Sequence, residues 1–210
     1  MALISALITE VRVDINDSNS TRFSTDTPLL TLFKKAIRRA NRICQRNDIN
    51  FAKKKVSLST VAAQNYIDIS SSVADFDVWI GLYYEGEHRE IEPMNELEWN
   101  SEEETGLTEH CLLDQANSKI YLKGTPSAVL SLDFWYYPTV DTSAYTTSTS
   151  TPWSGRLDDI IMEYVRMRAL NMDEMDLSFD SQLMTDMENQ ILESYKRNSV
   201  GRVNKVGWMN

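Results

Sequence analysis

TPLLTLFKKAIRRANRICQRNDINFAKKKVSLST, residues 27–60, contains the change of hydrophobic period on which the fold turns. In its first part Leu29, Leu32, Phe33, Ala36, Ile37, Ala40, Ile43 and Cys44 recur every three or four positions, the spacing of one apolar helix face. Thr27 followed by Pro28 reads as an N-cap and first-turn pair. Lys35, Arg38, Arg39, Arg42 and Arg46 fall on the opposite side of the same helix. From Lys55 to Thr60 the period drops to two, the alternation of a strand.

The same division holds outward in both directions. Upstream, Ile4, Leu7, Ile8, Val11 and Ile15 predict a first helix, ended by the polar loop 16–21. Downstream, strand signals follow at Tyr66–Ile69, Val78–Tyr84, Arg89–Glu92, Lys119–Leu122 and Val129–Tyr137, with Gly81, Gly86 and Gly124 where turns or bulges are expected. The acidic stretch Glu96–Thr108 reads as a loop or short helix. Pro138 closes the β segment and a Thr/Ser-biased linker leads back to helical ground.

A third helix is expected from near Ser154, carrying Leu157, Ile160, Ile161, Tyr164 and Val165, with Asp158 and Asp159 favourably placed for its dipole. A fourth is expected from about Leu177, with Leu183, Met184, Met187, Ile191 and Tyr195 on one face. Its methionines and those of the third helix read as core filling rather than a pliable partner surface. After Asn198 the two glycines and the loss of helical period suggest an extended arm ending on Trp208 and Met209. The expected architecture is therefore α+β. N- and C-terminal helices (1–50 and 152–198) pack as a helical bundle that serves for docking. They bracket an antiparallel β-sandwich or barrel-like insertion (51–140), with a linker (141–151) and a C-terminal arm (199–210).

A chain of 210 residues is long enough to bury about 70% of its unfolded surface, so its core requires no disulfide or metal staple. The two cysteines, Cys44 and Cys111, lie in segments of different period, which favours a reducing compartment. Residues 1–8 lack a basic leader and cleavage site, and no run is long enough to span a bilayer; neither secretion nor membrane insertion is expected. Charge is segregated rather than spread. Residues 34–55 hold nine basic side chains against Asp48, residues 75–109 hold twelve acids against Arg89, and the tail after Glu193 is basic again, within a net charge of −10. The subunit is strongly dipolar.

No glycine-rich phosphate loop, nucleophile elbow or paired-histidine metal helix interrupts this layout. Glu109, His110 and Cys111 are consecutive, so on a strand they point alternately to opposite faces and cannot converge on one ion. The other histidine, His88, sits in a run of charge, and Glu102, Glu103 and Glu104 read as solvated loop. A structural component without active site, metal or cofactor is expected. Nucleic-acid binding competes because of the basic helix stripe. The acidic total weakens approach to phosphate, and the aromatics do not interleave with the cations as a single-strand platform requires.

Several stretches, taken in order, resemble the head-to-tail adaptor (connector) proteins of tailed bacteriophages. Ile8-Thr9-Glu10-Val11-Arg12-Val13-Asp14, then Arg22-Phe23-Ser24-Thr25-Asp26 ahead of the Ala36–Ala40 helix, is similar to their first two helices. Tyr66–Ile69, Val78–Leu82, Ile120–Leu122 and Leu132–Pro138 resemble the β insertion many of them carry, and Pro152-Trp153 before the Arg156–Ala169 helix resembles their third helix. The acidic stretch between Glu85 and Glu109 departs from the pattern.

The resemblance implies a virion protein at the portal vertex. Identical subunits, twelve in such families, form a ring that docks on the portal protein, continues the DNA channel without sequence-specific binding and receives tail proteins. Two interface hypotheses follow from charge and chain end. Arg38, Arg39 and Arg42 meet acids of a neighbouring subunit or of the portal, and the arm with Val200, Arg202, Val203, Lys205, Trp208 and Met209 orders on the portal or on another subunit. A tail terminator, a tail-fibre adaptor, a DNA-binding packaging factor and a small virion hydrolase are the alternatives.

Overall fold

The stripe in residues 27–46 forms the helix α2 (Thr27–Arg46), and every one of its apolar positions named above is buried. The computed structural model describes residues 2–87, 89–99, 108–172 and 177–203. They fall into two units, Met1–Ala52 with Val140–Asn210, and Lys53–Thr139.

In the first unit α1 (Ile4–Asp14), α2, α3 (Asp158–Leu170) and α4 (Leu177–Val203) bring the two ends of the chain together. α2 packs against α1, α3 and α4, and α3 also packs against α1 and α4. Phe33, Ile37, Ile8, Leu29, Ile161, Val165 and Ile191 are almost wholly withdrawn from solvent, and each such side chain stabilises the unit by roughly 1.5–3 kcal/mol. α1 has no side-chain cap. Its first N–H donors are met instead by the Thr/Ser stretch: Ile4 donates to the Thr149 carbonyl at 3.0 Å and Ser5 to the Thr147 carbonyl at 2.8 Å. Thr27 is the first helical residue of α2 and Asp26 takes the N-cap place, without a capping bond from its side chain.

Before α3, Trp153, Ser154 and Gly155 form a tight 3-10 turn with φ of 56°, 57° and 77°. The first two are unfavourable for residues with side chains, by about 1 kcal/mol each. At Gly155 a Cβ would lie 2.8 Å from the Asp158 carboxylate, so the position suits only glycine. α4 corrects the sequence reading. Val200, Arg202 and Val203, which fall in the arm expected over 199–210, belong to the helix. One glycine, Gly201, weakens a helix by about 1 kcal/mol relative to alanine, which does not stop a helix already propagating. Lys205, Trp208 and Met209 lie outside the described residues.

The second unit is a seven-stranded sheet: β1 (Lys54–Ser59), β2 (Tyr66–Asp68), β3 (Phe76–Tyr84), β4 (Glu90–Pro93), β5 (His110–Asp114), β6 (Lys119–Leu122) and β7 (Ser131–Pro138). Their order is β1-β7-β3-β4-β5-β6-β2. Where the sequence predicts a sandwich or barrel-like insertion, the seven strands form one curled sheet. Leu58 of β1 and Ile67 of β2, on opposite edges, belong to the same core as Leu82, Ile91, Cys111, Ile120 and Phe134. Nor is the sheet wholly antiparallel, because β4 and β5 pair in parallel. The long connection 94–109 supplies the dozen or more residues such a pair needs. Phe134 anchors the core, stacked on Tyr136 at 5.3 Å and tilted against Trp79 at 4.9 Å. β3 shifts register between Trp79 and Gly81, where the Tyr83 ring lies 2.6 Å from the place a Cβ would occupy.

Candidate assembly surface

The basic stripe of α2 divides into two sets. Lys35, Arg38 and Arg42 are exposed, and their spacing of three and four puts them in one row along the helix. Arg39 turns inward: it is half-buried, with its guanidinium 5.1 Å from the centre of the Tyr164 ring on α3. Burial lowers its pKa, an effect that Arg168 adds to and Asp180 opposes. Arg46 grips both carboxylate oxygens of Glu188 on α4, at 3.2 and 3.0 Å, and the Asn47 amide adds a third bond to the same group at 3.1 Å. Arg39 and Arg46 therefore fasten α2 within the unit, and the other three cations face outward. Beside them Asp141 accepts from the Ser143 N–H and hydroxyl. These bonds, chiefly the N–H, and then the Arg38 and Lys34 charges lower its carboxyl pKa, against an opposing effect of burial.

The loop that delivers the chain into α2 is held by a residue the sequence reading did not single out. Arg12 of α1 is buried and donates to Asp17 at 2.7 Å, to the Phe23 and Thr25 carbonyls at 2.9 and 3.0 Å, and twice to Asp26 at 2.9 and 3.1 Å. Asp17, also buried, accepts in turn from the Arg22 and Phe23 N–H groups at 2.7 and 3.2 Å. The Arg22 N–H is the largest influence lowering the Asp17 carboxyl pKa. Burial opposes it, and the Phe23 N–H, the Thr21 hydroxyl and the Arg12 charge add to it. Asp26 serves Arg12 with its carboxylate, which is why it makes no capping bond to α2. The whole Arg22–Asp26 stretch is thus built around one guanidinium. Its signal in the sequence is position: Arg12 stands four residues after Ile8, on the buried side of α1.

In the sheet unit the described glutamates are on the surface. Glu85, Glu87, Glu90, Glu92, Glu96, Glu98 and Glu109 are all exposed, with Arg89 bonded to Glu109. On β1 and β7, Lys55 pairs with Asp133 at 2.7 Å and lies 6.0 Å from the Trp135 ring. Asp75 accepts from Lys54 and from the Tyr136 hydroxyl. Burial alone would raise its carboxyl pKa, but these bonds and the Lys54 charge outweigh it and hold it low. Cys111 points into the core, whereas Glu109, two residues earlier and just ahead of β5, faces solvent instead of sharing that face as an unbroken strand would have it. Among the described residues no three His, Cys, Asp or Glu side chains gather as a metal site would require. His88 and residues 102–104 lie outside the described residues.

Residues 3–205 match the SU10 adaptor protein family. The chain belongs to this family. The match takes in both helical ends and the sheet between them, and it makes the chain a phage adaptor protein. No curated protein matches the chain significantly.

Among the interface residues proposed from the adaptor's sequence, Arg38 and Arg42 share the exposed row, which Lys35 extends, whereas Arg39 is committed to Tyr164. Val200, Arg202 and Val203 lie in the last turn of α4. Among the described residues of the adaptor, no helix is long and apolar enough to cross a membrane.

Proposed function

We propose that this adaptor is a structural virion component. Copies of it form a ring, a dodecamer on the family pattern, that docks on the portal protein at the head-tail interface, continues the DNA channel and recruits tail proteins. The family match over residues 3–205 carries this reading. It works without catalytic centre, metal or cofactor, through surfaces alone. The outward row Lys35, Arg38 and Arg42 meets acids of the adjacent subunit or of the portal, and the C-terminal residues from Val200 supply a second contact to subunit or portal. A net charge of −10 on each subunit keeps the ring from gripping passing duplex tightly.

The test mixes the purified adaptor with its portal protein and looks for rings by electron microscopy. Arg38→Glu with Arg42→Glu is expected to abolish rings while circular dichroism and monomer mass stay unchanged. Rings that form as before refute the role given to this row. The row also suits a DNA-binding packaging factor. Retention on duplex DNA that falls steeply with salt, without rings on the portal, would favour that alternative.

A further inference from the structure

Between α3 and α4 runs a groove of about 190 Å³. Tyr164, Leu183 and Met187 are buried at its floor, Ile160, Met167 and Phe179 form half-buried walls, and Glu163 and Asp186 stand on its rim. A dry apolar cavity of roughly 150 Å³ accepts a benzene ring, so this groove has room for an aromatic side chain. Its thioether walls adjust to the shape of such a guest.

The chain itself carries a matching segment. Residues 204–210 read NKVGWMN, with one cation, Lys205, to meet Asp186 on the rim, Glu163 being bonded through both oxygens to Arg166 at 2.8 Å, and an apolar pair, Trp208 and Met209, to fill the floor. A chain's own end cannot make this contact. From Met187, the floor residue nearer the end of α4, to the last helical residue, Val203, the helix rises about 24 Å at 1.5 Å per residue. Trp208 is five residues further on and reaches back at most about 18 Å, even when fully extended. That leaves it some 6 Å short of Met187, and reversing the chain direction at the end of α4 uses at least two of those residues, roughly 7 Å more of reach. A second copy is under no such limit.

We infer that the α3–α4 groove of each subunit receives residues 204–210 of a neighbouring copy, with Trp208 as the anchor. The inference rests on the reading of the chain as a ring-forming adaptor and names one of its subunit contacts. Each copy then gives a tail and offers a groove, a heterologous contact of the kind that closes rings.

Disulfide trapping between two separately purified full-length variants tests it. One carries Gln182→Cys on the groove rim, the other Met209→Cys; the native thiols Cys44 and Cys111 are buried. Mixed, assembled on portal protein and mildly oxidised, the pair is expected to give a covalent dimer. Thr185→Cys, which is exposed on α4 but does not line the groove, is expected to give none. Trp208→Ala is expected to raise the concentration at which free copies associate at least tenfold, and Trp208→Phe to raise it less. Rings on the portal without a covalent dimer from the Gln182→Cys and Met209→Cys pair overturn this inference and leave the adaptor reading standing, and so does trapping of the tail on the portal instead. Absence of any assembly overturns both.

Discussion

Replacing Arg12 by methionine keeps the length of the side chain and removes the guanidinium. Five hydrogen bonds go with it, and Asp17 is left as a buried carboxylate without its cation. Summing five charge-assisted bonds at about 1.5–3 kcal/mol each would exceed the stability of most domains, so the bonds cannot be additive. The better guide is the effect of breaking one partner out of a buried ion pair, about 3–5 kcal/mol. Asp26, whose side chain is 49% exposed, adds little because water and salt screen that half of the network.

The helices all belong to one unit, so far-ultraviolet circular dichroism at 222 nm follows that unit through a urea titration. At a slope near 2 kcal/mol per molar, Arg12→Met is expected to lower the midpoint by about 2 M. Adding Asp17→Asn removes the stranded charge and is expected to restore a measurable part of the loss. A midpoint shift below about 0.5 M, or a double variant no more stable than the single one, would refute the assignment of Arg12 as the clamp of residues 17–26.

Asp17 also sets an acid limit. Its folded pKa lies below the ordinary 3.8, so the stability it contributes is complete above that value and is lost as pH falls through the lower folded pKa. Asp17→Asn is expected to flatten the dependence of the urea midpoint on pH below about 4, and an unchanged slope counts against it. The thiols give an independent check on each unit. Burial, aided at Cys111 by the Glu90 charge, pushes both Cys44 and Cys111 up to about 12, and neither side chain is accessible. Ellman's reagent at pH 8 is expected to find no reactive thiol until urea is added. With Cys44→Ser, the Cys111 signal then reports the opening of the sheet unit alone, and prompt labelling in native buffer would refute the packing described.

What was legible in the sequence was periodic and local. α2 shows its stripe because eight apolar side chains face one way and all are buried. Six of the seven strands coincide closely with segments of β-branched and aromatic alternation. β5 escaped because His110-Cys111-Leu112-Leu113-Asp114 has no β-branched residue and follows directly on an acidic run. The single curled sheet escaped for another reason: strand pairing is set between segments far apart in the chain, and periodicity does not encode which edges meet. The same holds for Arg39. It stands three residues after Ala36, at the margin of the buried stripe, and only the presence of Tyr164 on α3 decides that it turns inward.

This split within one helix bears on how the adaptor assembles. Cations three and four positions apart on a helix repel each other by a few tenths of a kcal/mol per pair, and Lys35, Arg38 and Arg42 stand in that relation. The first unit has spent its other α2 cations productively, Arg39 on Tyr164 and Arg46 on Glu188, both of which hold helices together. Among the described residues the outward three join no two helices; Arg38 reaches the Lys34 carbonyl of its own helix at 3.4 Å and acts on Asp141 only through its charge. Carboxylates brought against them from a neighbouring chain would turn mutual repulsion into attraction at several points at once, and would do so only in the register where row meets row. A weak internal penalty of this kind leaves the isolated subunit folded and would make assembly selective, the property that the proposed ring requires.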